Sequence, residues 1–125
     1  MIFDTNILIY VDRGNNKARN LILKSDNREI SAVTYMEYVP YCQNAKELKI
    51  FHHFLESLHF NIIEINSEIS LFSRQLVKQY ALSHSMEMGD AIIAATAIVG
   101  NNTICTSNLK HFRQIDNLDI KHFKP

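Results

Sequence analysis

The segment Gly89–Asn108, with the sequence GDAIIAATAIVGNNTICTSN, contains both kinds of element from which this fold is built. Its residues Ala91–Val99 are apolar on nearly every face of a helix, which is typical of a helix enclosed by other layers of a protein. Gly100 is a suitable residue just beyond the end of that helix, and Thr103–Thr106 then reads as a short buried strand. The segment therefore indicates an α/β domain.

The same alternation of strands and helices runs through the rest of the chain, without a repeat, a linker or a low-complexity tract. It predicts a mainly parallel central sheet of four to five strands, covered by helices on both faces, in a single domain spanning residues 1–125. The predicted strands are Ile2–Phe3, Glu29–Val33, Asn61–Ile65, Thr103–Thr106 and Leu118–Phe123. The predicted helices lie at Ile7–Val11, at Lys17–Lys24, after Thr34, around Leu48–Leu58, from Asn66 or Ser67 to Tyr80, and from Asp90 to Gly100.

The composition is that of an ordinary globular domain, with 125 residues of which 46% are hydrophobic and 21% are charged. No apolar run approaches the roughly 20 residues that cross a membrane, and Asp4 and Asn6 interrupt any N-terminal signal segment. We therefore expect a cytoplasmic protein with no membrane partner. Cys42 and Cys105 lack the paired spacing of zinc ligands, which argues against a zinc site.

The charges balance, with 13 basic and 13 acidic residues. This balance argues against a protein that coats nucleic acid through its overall charge, although it leaves room for an enzyme with a local basic patch. No P-loop, GxGxxG, HExxH or EF-hand pattern is present. Any catalytic or binding residues therefore belong to a pattern that is spread along the chain.

Four polar residues stand where an apolar run meets a helix start or a loop. They are Asp4, Glu37, Asp90 and Asn108. In an open α/β sheet the ends of parallel strands lie along one edge, and sites form in the crevice there. Carboxylates gathered at such an edge repel one another unless a cation lies between them, and oxygen ligands of this kind suit Mg²⁺ or Mn²⁺.

Three of these residues also have ordinary structural interpretations. Asp4 fits an N-cap for the helix that follows it. Glu37 fits a capping box with Thr34, in which the glutamate bonds back to the cap amide. Asn108 fits a turn. Taken singly, each residue leaves both interpretations open.

Asp90 has a weaker structural alternative, a favourable interaction with the helix dipole. The helix that begins at Asp90 is predicted to be buried, and an unpaired carboxylate at its N-terminal end would be energetically costly. No lysine or arginine occurs from residue 79 to residue 109. The Asp90 carboxylate is therefore predicted to pair with a metal ion or with a basic group that is remote in sequence.

At these residues the chain resembles the PIN-domain nucleases, specifically the VapC-type toxins of bacterial and archaeal toxin–antitoxin pairs. The resemblance covers almost the whole chain, in the family's order and at its usual size. It is carried by four segments, Phe3–Tyr10 (FDTNILIY), Thr34–Glu37 (TYME), Gly89–Ala97 (GDAIIAATA) and Thr106–Phe112 (TSNLKHF).

The resemblance implies a three-layer α/β/α fold and a Mg²⁺- or Mn²⁺-dependent ribonuclease. Matched position by position, Asp4, Glu37 and Asp90 take the places of the family's acidic metal-site residues. Asp4 and Asp90 are expected as direct ligands, and Glu37 as a ligand through water or as the group that orients the attacking water. Asn108 takes the fourth catalytic place, where many relatives have aspartate, so a second metal ion should be weakened more than the first. Neighbouring polar residues that would orient ligands or phosphate are Thr5, Asn6 and Thr106.

The expected partners are an RNA substrate, a small antitoxin that docks in a groove between helices, and a second copy of the chain in a homodimer. Two basic clusters are candidates for contacts with the RNA backbone, and a solvated surface with salt bridges is the alternative for both. The first cluster consists of Arg13, Lys17 and Arg19, and the second of Lys110, His111 and Arg113.

Two other functions compete with an endoribonuclease. A PIN-like module that binds RNA or protein without cutting is favoured by Asn108 and by the zero net charge. The presence of all three other acidic positions opposes that reading. A phosphatase acting on small phosphates ranks last, because no DxD pattern or glycine-rich phosphate loop is present.

Overall fold

The structure, a computed structural model, describes all 125 residues as one sheet with helices on both faces. The strands are β1 (Ile2–Phe3), β2 (Glu29–Ser31), β3 (Asn61–Ile63), β4 (Thr103–Thr106) and β5 (Asp119–His122). They lie in the order β3-β2-β1-β4-β5, and every neighbouring pair is parallel. The helices are α1 (Thr5–Asp12), α2 (Asn16–Lys24), α3 (Ala32–Tyr38), α4 (Ala45–Ser57), α5 (Ser67–His84), α6 (Met88–Val99) and α7 (Leu109–Phe112), with a 3₁₀ turn at Val39–Tyr41. The predicted three-layer α/β/α fold is confirmed.

Adjacent residues of the central strands point into opposite layers, as the pleat of a strand requires. Ile2 and Ile104 belong to the core that the sheet forms with α5 and α6, whereas Phe3 and Cys105 belong to the core formed with α1, α2 and α4. All four side chains are inaccessible or nearly so, so the centre of the sheet is enclosed on both faces. None of the helices combines the length and the apolar character needed to cross a membrane.

The strand order creates a crevice beside β1. The chain adds β2 and β3 on one side of β1 and then returns to add β4 and β5 on the other. In open parallel sheets, ligand sites form at such a point, outside the carboxyl ends of the strands. Because Phe3 pairs with Cys105, the residues that follow them, Asp4 and Thr106, emerge side by side at this edge.

The boundary between β2 and α3 lies earlier than the sequence predicts. β2 ends at Ser31, whose hydroxyl accepts a hydrogen bond from the Val33 amide at 3.1 Å and caps α3. Thr34 is therefore the third residue of the helix, with its side chain fully buried, and the capping-box interpretation of Glu37 is wrong. β3 is likewise shorter than predicted and ends at Ile63.

Both ends of α6 also differ from the prediction. The helix begins at Met88, two residues before Asp90, with Glu87 as its N-cap. At the other end Gly100 is the capping residue with φ −82°, and the left-handed residue is Asn101 with φ 49°. Asparagine tolerates that region better than most residues, so the chain turns one residue later than predicted.

Arg28, which directly precedes β2, joins the ends of two helices at the opposite edge of the sheet. Its guanidinium donates hydrogen bonds to the carbonyls of Ile22 at 2.8 Å and Leu23 at 2.9 Å in the last turn of α2, and to that of Leu58 at 2.8 Å, just after α4. A cation at these positions also opposes the negative ends of two helix dipoles. The side chain therefore adds charged donors to carbonyl groups at the ends of the two helices.

Replacing Arg28 with methionine should lower the free energy of unfolding by about 2–3 kcal/mol, because three carbonyls lose charged donors. Arg28→Lys should recover only part of that loss, since an ammonium group cannot reproduce the planar fork of the guanidinium. Urea unfolding measures both effects, with Arg13→Met at an exposed position as the control. Equal stability of all three variants would contradict this role.

Candidate active site

The four residues singled out in the sequence all stand at the carboxyl-end edge of the sheet. Asp4 follows β1 directly and is the N-cap of α1. Glu37 lies on α3, which follows β2 without a loop, and Asp90 lies in the first turn of α6. Asn108 precedes α7, two residues after the end of β4. The site therefore draws one residue from each of the segments that meet there.

Asp4 is the floor of the site, with 6% of its surface exposed. Its Oδ1 accepts a hydrogen bond from the Thr5 amide at 2.8 Å. Its Oδ2 accepts hydrogen bonds from the Thr106 hydroxyl at 2.7 Å and from the Asn6 side-chain amide at 3.2 Å. Three donors thus fix the orientation of this carboxylate, although none of them is a cation.

Burial raises the pKa of the Asp4 carboxyl from 3.8 to about 6. The hydrogen bonds from Thr106 and from the Thr5 amide oppose this shift, and the nearby carboxylates of Asp90 and Glu37 add to it. The raised pKa means that the ionised form of Asp4 is unfavourable in the protein alone. A bound cation would relieve this cost.

Asp90 is half-buried, and burial is also the main cause of its raised pKa. Glu87 and Glu37 raise the pKa of Asp90 further, whereas His111 lowers it. The His111 Nδ1 atom of α7 lies 3.5 Å from Asp90 Oδ2. The structure therefore places a histidine that is remote in sequence beside Asp90.

Glu37 lies at the rim, exposed to solvent. Its Oε1 accepts a hydrogen bond from the Thr5 hydroxyl at 2.6 Å. Thr5 therefore contacts two carboxylates at once, Asp4 through its backbone amide and Glu37 through its side chain. This arrangement ties the start of α1 to α3.

The segment that carries Asn108 is tied to the floor of the site by two hydrogen bonds. The Asn108 amide donates to the Thr106 hydroxyl at 3.0 Å, and the Ser107 amide donates to the Asn6 side-chain oxygen at 3.4 Å. The Asn108 side chain is exposed and makes no capping hydrogen bond to α7. Its amide oxygen is therefore available to a ligand.

The donor set is one of oxygen atoms with excess negative charge, which fits the chemistry of Mg²⁺ or Mn²⁺. No three His, Cys, Asp or Glu side chains are arranged closely enough to hold a metal ion as they stand. The structure thus brings three carboxylates within electrostatic reach of one another without forming a closed cage. An ion bound directly by one or two of these carboxylates would complete its coordination with water.

The two basic clusters lie in different places. Lys110 and Arg113 are exposed on and just after α7, beside His111 and hence beside the acidic edge. Arg13 follows the last residue of α1, and that helix runs away from Asp4 for eight residues, a distance of about 12 Å. Lys17 is exposed on α2. The structure therefore brings only the second cluster to the site.

Comparisons with known proteins agree with one another. A family model described as the PIN domain matches residues 1–118. Ribonuclease VapC2 of Methanocaldococcus jannaschii is 32% identical over 96% of this chain and 91% of that protein. A toxin–antitoxin complex from Klebsiella pneumoniae contains a chain with a TM-score of 0.74 and 31% identity, covering 94% of this chain and 93% of that one. VapBC2 from Rickettsia felis, bound to a DNA fragment from its promoter, contains a chain with a TM-score of 0.79 and 25% identity, covering 99% and 100%.

Proposed function

The chain belongs to the PIN domain family and is similar to its VapC-type members, as the four sequence segments predicted, and on that premise we propose that it is an endoribonuclease. It hydrolyses RNA phosphodiester bonds with Mg²⁺ or Mn²⁺ and is the toxin of a type II toxin–antitoxin pair in the cytoplasm. One observation carries the proposal. A buried carboxylate, Asp4, is held by three hydrogen bonds at the edge of the sheet where the strand order reverses, and burial raises its pKa, with smaller contributions from Asp90 and Glu37.

In this proposal Asp4 and Asp90 hold the metal ion, and Glu37 orients the attacking water or binds the ion through water. A bound ion of this kind supplies an activated water and offsets the charge that builds on the phosphate. The hydroxyl of Thr106 and the side-chain amide of Asn6 keep the Asp4 carboxylate in one orientation. The second basic cluster, with Lys110 and Arg113, contacts the RNA backbone beside the site.

A binding module that does not cut RNA is the second candidate. It is favoured by the missing fourth carboxylate at Asn108, by the zero net charge and by the open arrangement of the three carboxylates. It leaves unexplained why Asp90 and Glu37 lie close enough to Asp4 to add to the rise in its pKa, of which burial is the main cause. The endoribonuclease accounts for that feature and is the proposal we adopt.

A mixed pool of RNA distinguishes the two functions. Purified protein is incubated with the pool in Mg²⁺ or Mn²⁺ and, in parallel, in EDTA. The endoribonuclease predicts cleavage in the metal ions only. Binding without cleavage in any condition would support the binding module, and cleavage that persists in EDTA would contradict a metal-dependent site.

The proposed antitoxin has a suitable docking groove on the face that bears α1 and α4. Two adjoining cavities of about 380 and 340 Å³ share Val11, Ile50 and Phe54 in their walls. The first also contains Asp12 and Glu47, whereas the second contains Arg19 and His53. The apolar walls suit large side chains of a peptide segment, and the acidic end of the groove suits a basic residue beside them. Arg19 of the first basic cluster therefore belongs to this groove in the proposal.

Ile50→Asp should weaken antitoxin binding by about 100-fold, because a carboxylate would replace an apolar side chain shared by both cavities. Ile50 is 59% exposed, so the fold should tolerate the change. The measurement is the Kd for the small protein encoded with the toxin, obtained by isothermal titration calorimetry. Leu82→Asp is the control, since Leu82 is fully exposed on α5 and lies outside the groove. Equal binding by both variants would contradict the assignment of the groove.

We also propose that the chain forms a homodimer through an apolar face on α5 and the start of α6. Met88 is 73% exposed there, and it borders a cavity of about 410 Å³ together with Ile65, Val77 and Ile92. Such an exposed apolar face is typical of a contact surface. Analytical ultracentrifugation at micromolar concentration tests this proposal, and a monomer would contradict it.

A further inference from the structure

The Glu37 side chain is exposed, yet each of its two carboxylate oxygens faces a fixed neighbour. On one side Oε1 accepts the hydrogen bond from the Thr5 hydroxyl at 2.6 Å. The same hydroxyl lies 3.3 Å from that of Thr34, a fully buried residue one turn earlier on α3. Thr5 is thus anchored to the buried face of α3 as well as to the carboxylate.

On the other side, Gly89 leaves the space that Glu37 Oε2 occupies. A Cβ atom at Gly89 would lie 3.0 Å from Glu37 Oε2 and 3.7 Å from both Glu37 Cδ and Val33 Cγ1. A distance of 3.0 Å is shorter than an ordinary contact between a methyl carbon and an oxygen, so the carboxylate would have to move.

The backbone of Gly89 gives no other reason for a glycine. Gly89 is in the first turn of α6 and does not have a positive φ, unlike Gly14. Within a helix alanine is more favourable than glycine. The atoms that an added methyl group would meet most closely belong to Glu37. The glycine is therefore explained by the carboxylate beside it.

We propose that Thr5 and Gly89 are positioning residues that hold the Glu37 carboxylate between α1 and α6. The inference rests on the proposed function, in which Glu37 acts on the water or on the metal ion. An exposed glutamate that lacks such restraints samples several rotamers, and catalysis requires placement to within about 0.5 Å. Because a carboxylate is rigid, displacing Oε2 from Gly89 also disturbs the bond between Oε1 and Thr5.

Gly89→Ala should separate stability from activity. We expect the melting temperature to be equal to that of the wild type or higher, since alanine favours the helix. We expect kcat for RNA cleavage to fall by roughly tenfold or more, with little change in KM, because a small displacement of a catalytic group costs rate rather than substrate binding. Gly100→Ala, at the far end of the same helix, is the matched control and should keep the wild-type kcat.

Two further variants test whether the effect passes through Glu37. Glu37→Asp withdraws the carboxylate from residue 89, so adding Gly89→Ala to that variant should change kcat by less than about twofold. Thr5→Val should lower kcat roughly as Gly89→Ala does, whereas Thr5→Ser retains the hydroxyl and should restore most of the rate. Additive losses in the double variant would overturn the proposal.

A crystal structure of the Gly89→Ala variant tests the positions directly, independently of activity. The proposal predicts that the distance between Glu37 Oε1 and the Thr5 hydroxyl lengthens by a few tenths of an ångström, as Oε2 moves away from the new methyl group. A retained contact near 2.6 Å would overturn it. If the wild type fails to cleave RNA, the proposed function fails, and this structure still decides whether Gly89 positions Glu37.

Discussion

In the metal-free wild type, the free energy of unfolding should fall by about 3 kcal/mol as the Asp4 carboxyl ionises, and Asp4→Asn is expected to remove this pH-dependent loss. The same substitution should abolish RNA cleavage. The cause of the stability effect is the burial that raises the pKa of Asp4 from 3.8 to about 6. In the folded protein the carboxyl keeps its proton up to about pH 6, whereas the unfolded chain releases it near pH 3.8. The stability that this proton supplies is therefore complete below pH 3.8 and is lost as the pH rises to about 6.

Urea unfolding in EDTA at pH 4, 5, 6 and 7 measures this effect. Other carboxyl groups titrate over the same range, so the difference between the wild type and Asp4→Asn isolates the contribution of Asp4. Altered hydrogen bonds with Thr106 and Asn6 would add a constant offset without changing the pH dependence. Parallel pH profiles for the two proteins would contradict the raised pKa.

Mg²⁺ or Mn²⁺ is expected to raise the melting temperature of the wild type by roughly 10 °C when the ion is present at about 100 times its Kd. The physical reason is that a cation offsets the cost of burying the Asp4 and Asp90 carboxylates, together with the repulsion that Glu37 adds to both. In Asp90→Asn the rise should largely disappear, because one of the two proposed direct ligands is lost. Thermal melts in a series of metal concentrations, each compared with EDTA, provide the measurement.

The control for metal binding is Asp116→Asn, a substitution of the same type at an exposed position outside the site. It should keep the full rise in melting temperature. If Asp90→Asn shows the same rise as Asp116→Asn, the ion binds elsewhere and the proposed metal site is wrong.

The sequence predicted the elements correctly where a short-range pattern was compatible with only one structure. The central strands are apolar on both faces because the sheet is covered on both sides, so Ile2–Phe3 and Thr103–Thr106 were predicted with their observed bounds. In a parallel sheet the residues that follow such strands must share an edge. This constraint predicted Asp4 at that edge, whereas its place at the point where the strand order reverses follows from the sheet topology.

The start of α3 could not be decided from the sequence, because Ser31 and Thr34 are both good N-cap residues. The choice depends on how far β2 remains paired, and its pairing with β3 extends through Ser31 and Ile63. The helix begins immediately afterwards, which makes Ser31 the cap. A contact between strands thus overrode a local pattern that was equally acceptable.

Two features of the site depend on contacts between distant segments. His111 was recognised only as a member of a basic cluster, and its position near Asp90 follows from the packing of α7 beside α6. Gly89 had no interpretation of its own, because its neighbour Glu37 lies on a different helix. The position of His111 three residues after Asn108 could have indicated that it lies near the site, whereas nothing in the sequence indicated the role of Gly89.

The most direct test of the central claim is the rate of RNA cleavage by the wild type, Asp90→Asn and Asp116→Asn under single-turnover conditions, in Mn²⁺ and in EDTA. We expect cleavage by the wild type and Asp116→Asn in Mn²⁺ only, and a loss of at least about 100-fold in Asp90→Asn, because a metal ligand is removed. Cleavage by Asp90→Asn at the wild-type rate, or cleavage by the wild type in EDTA, would contradict an endoribonuclease that works through this acidic site.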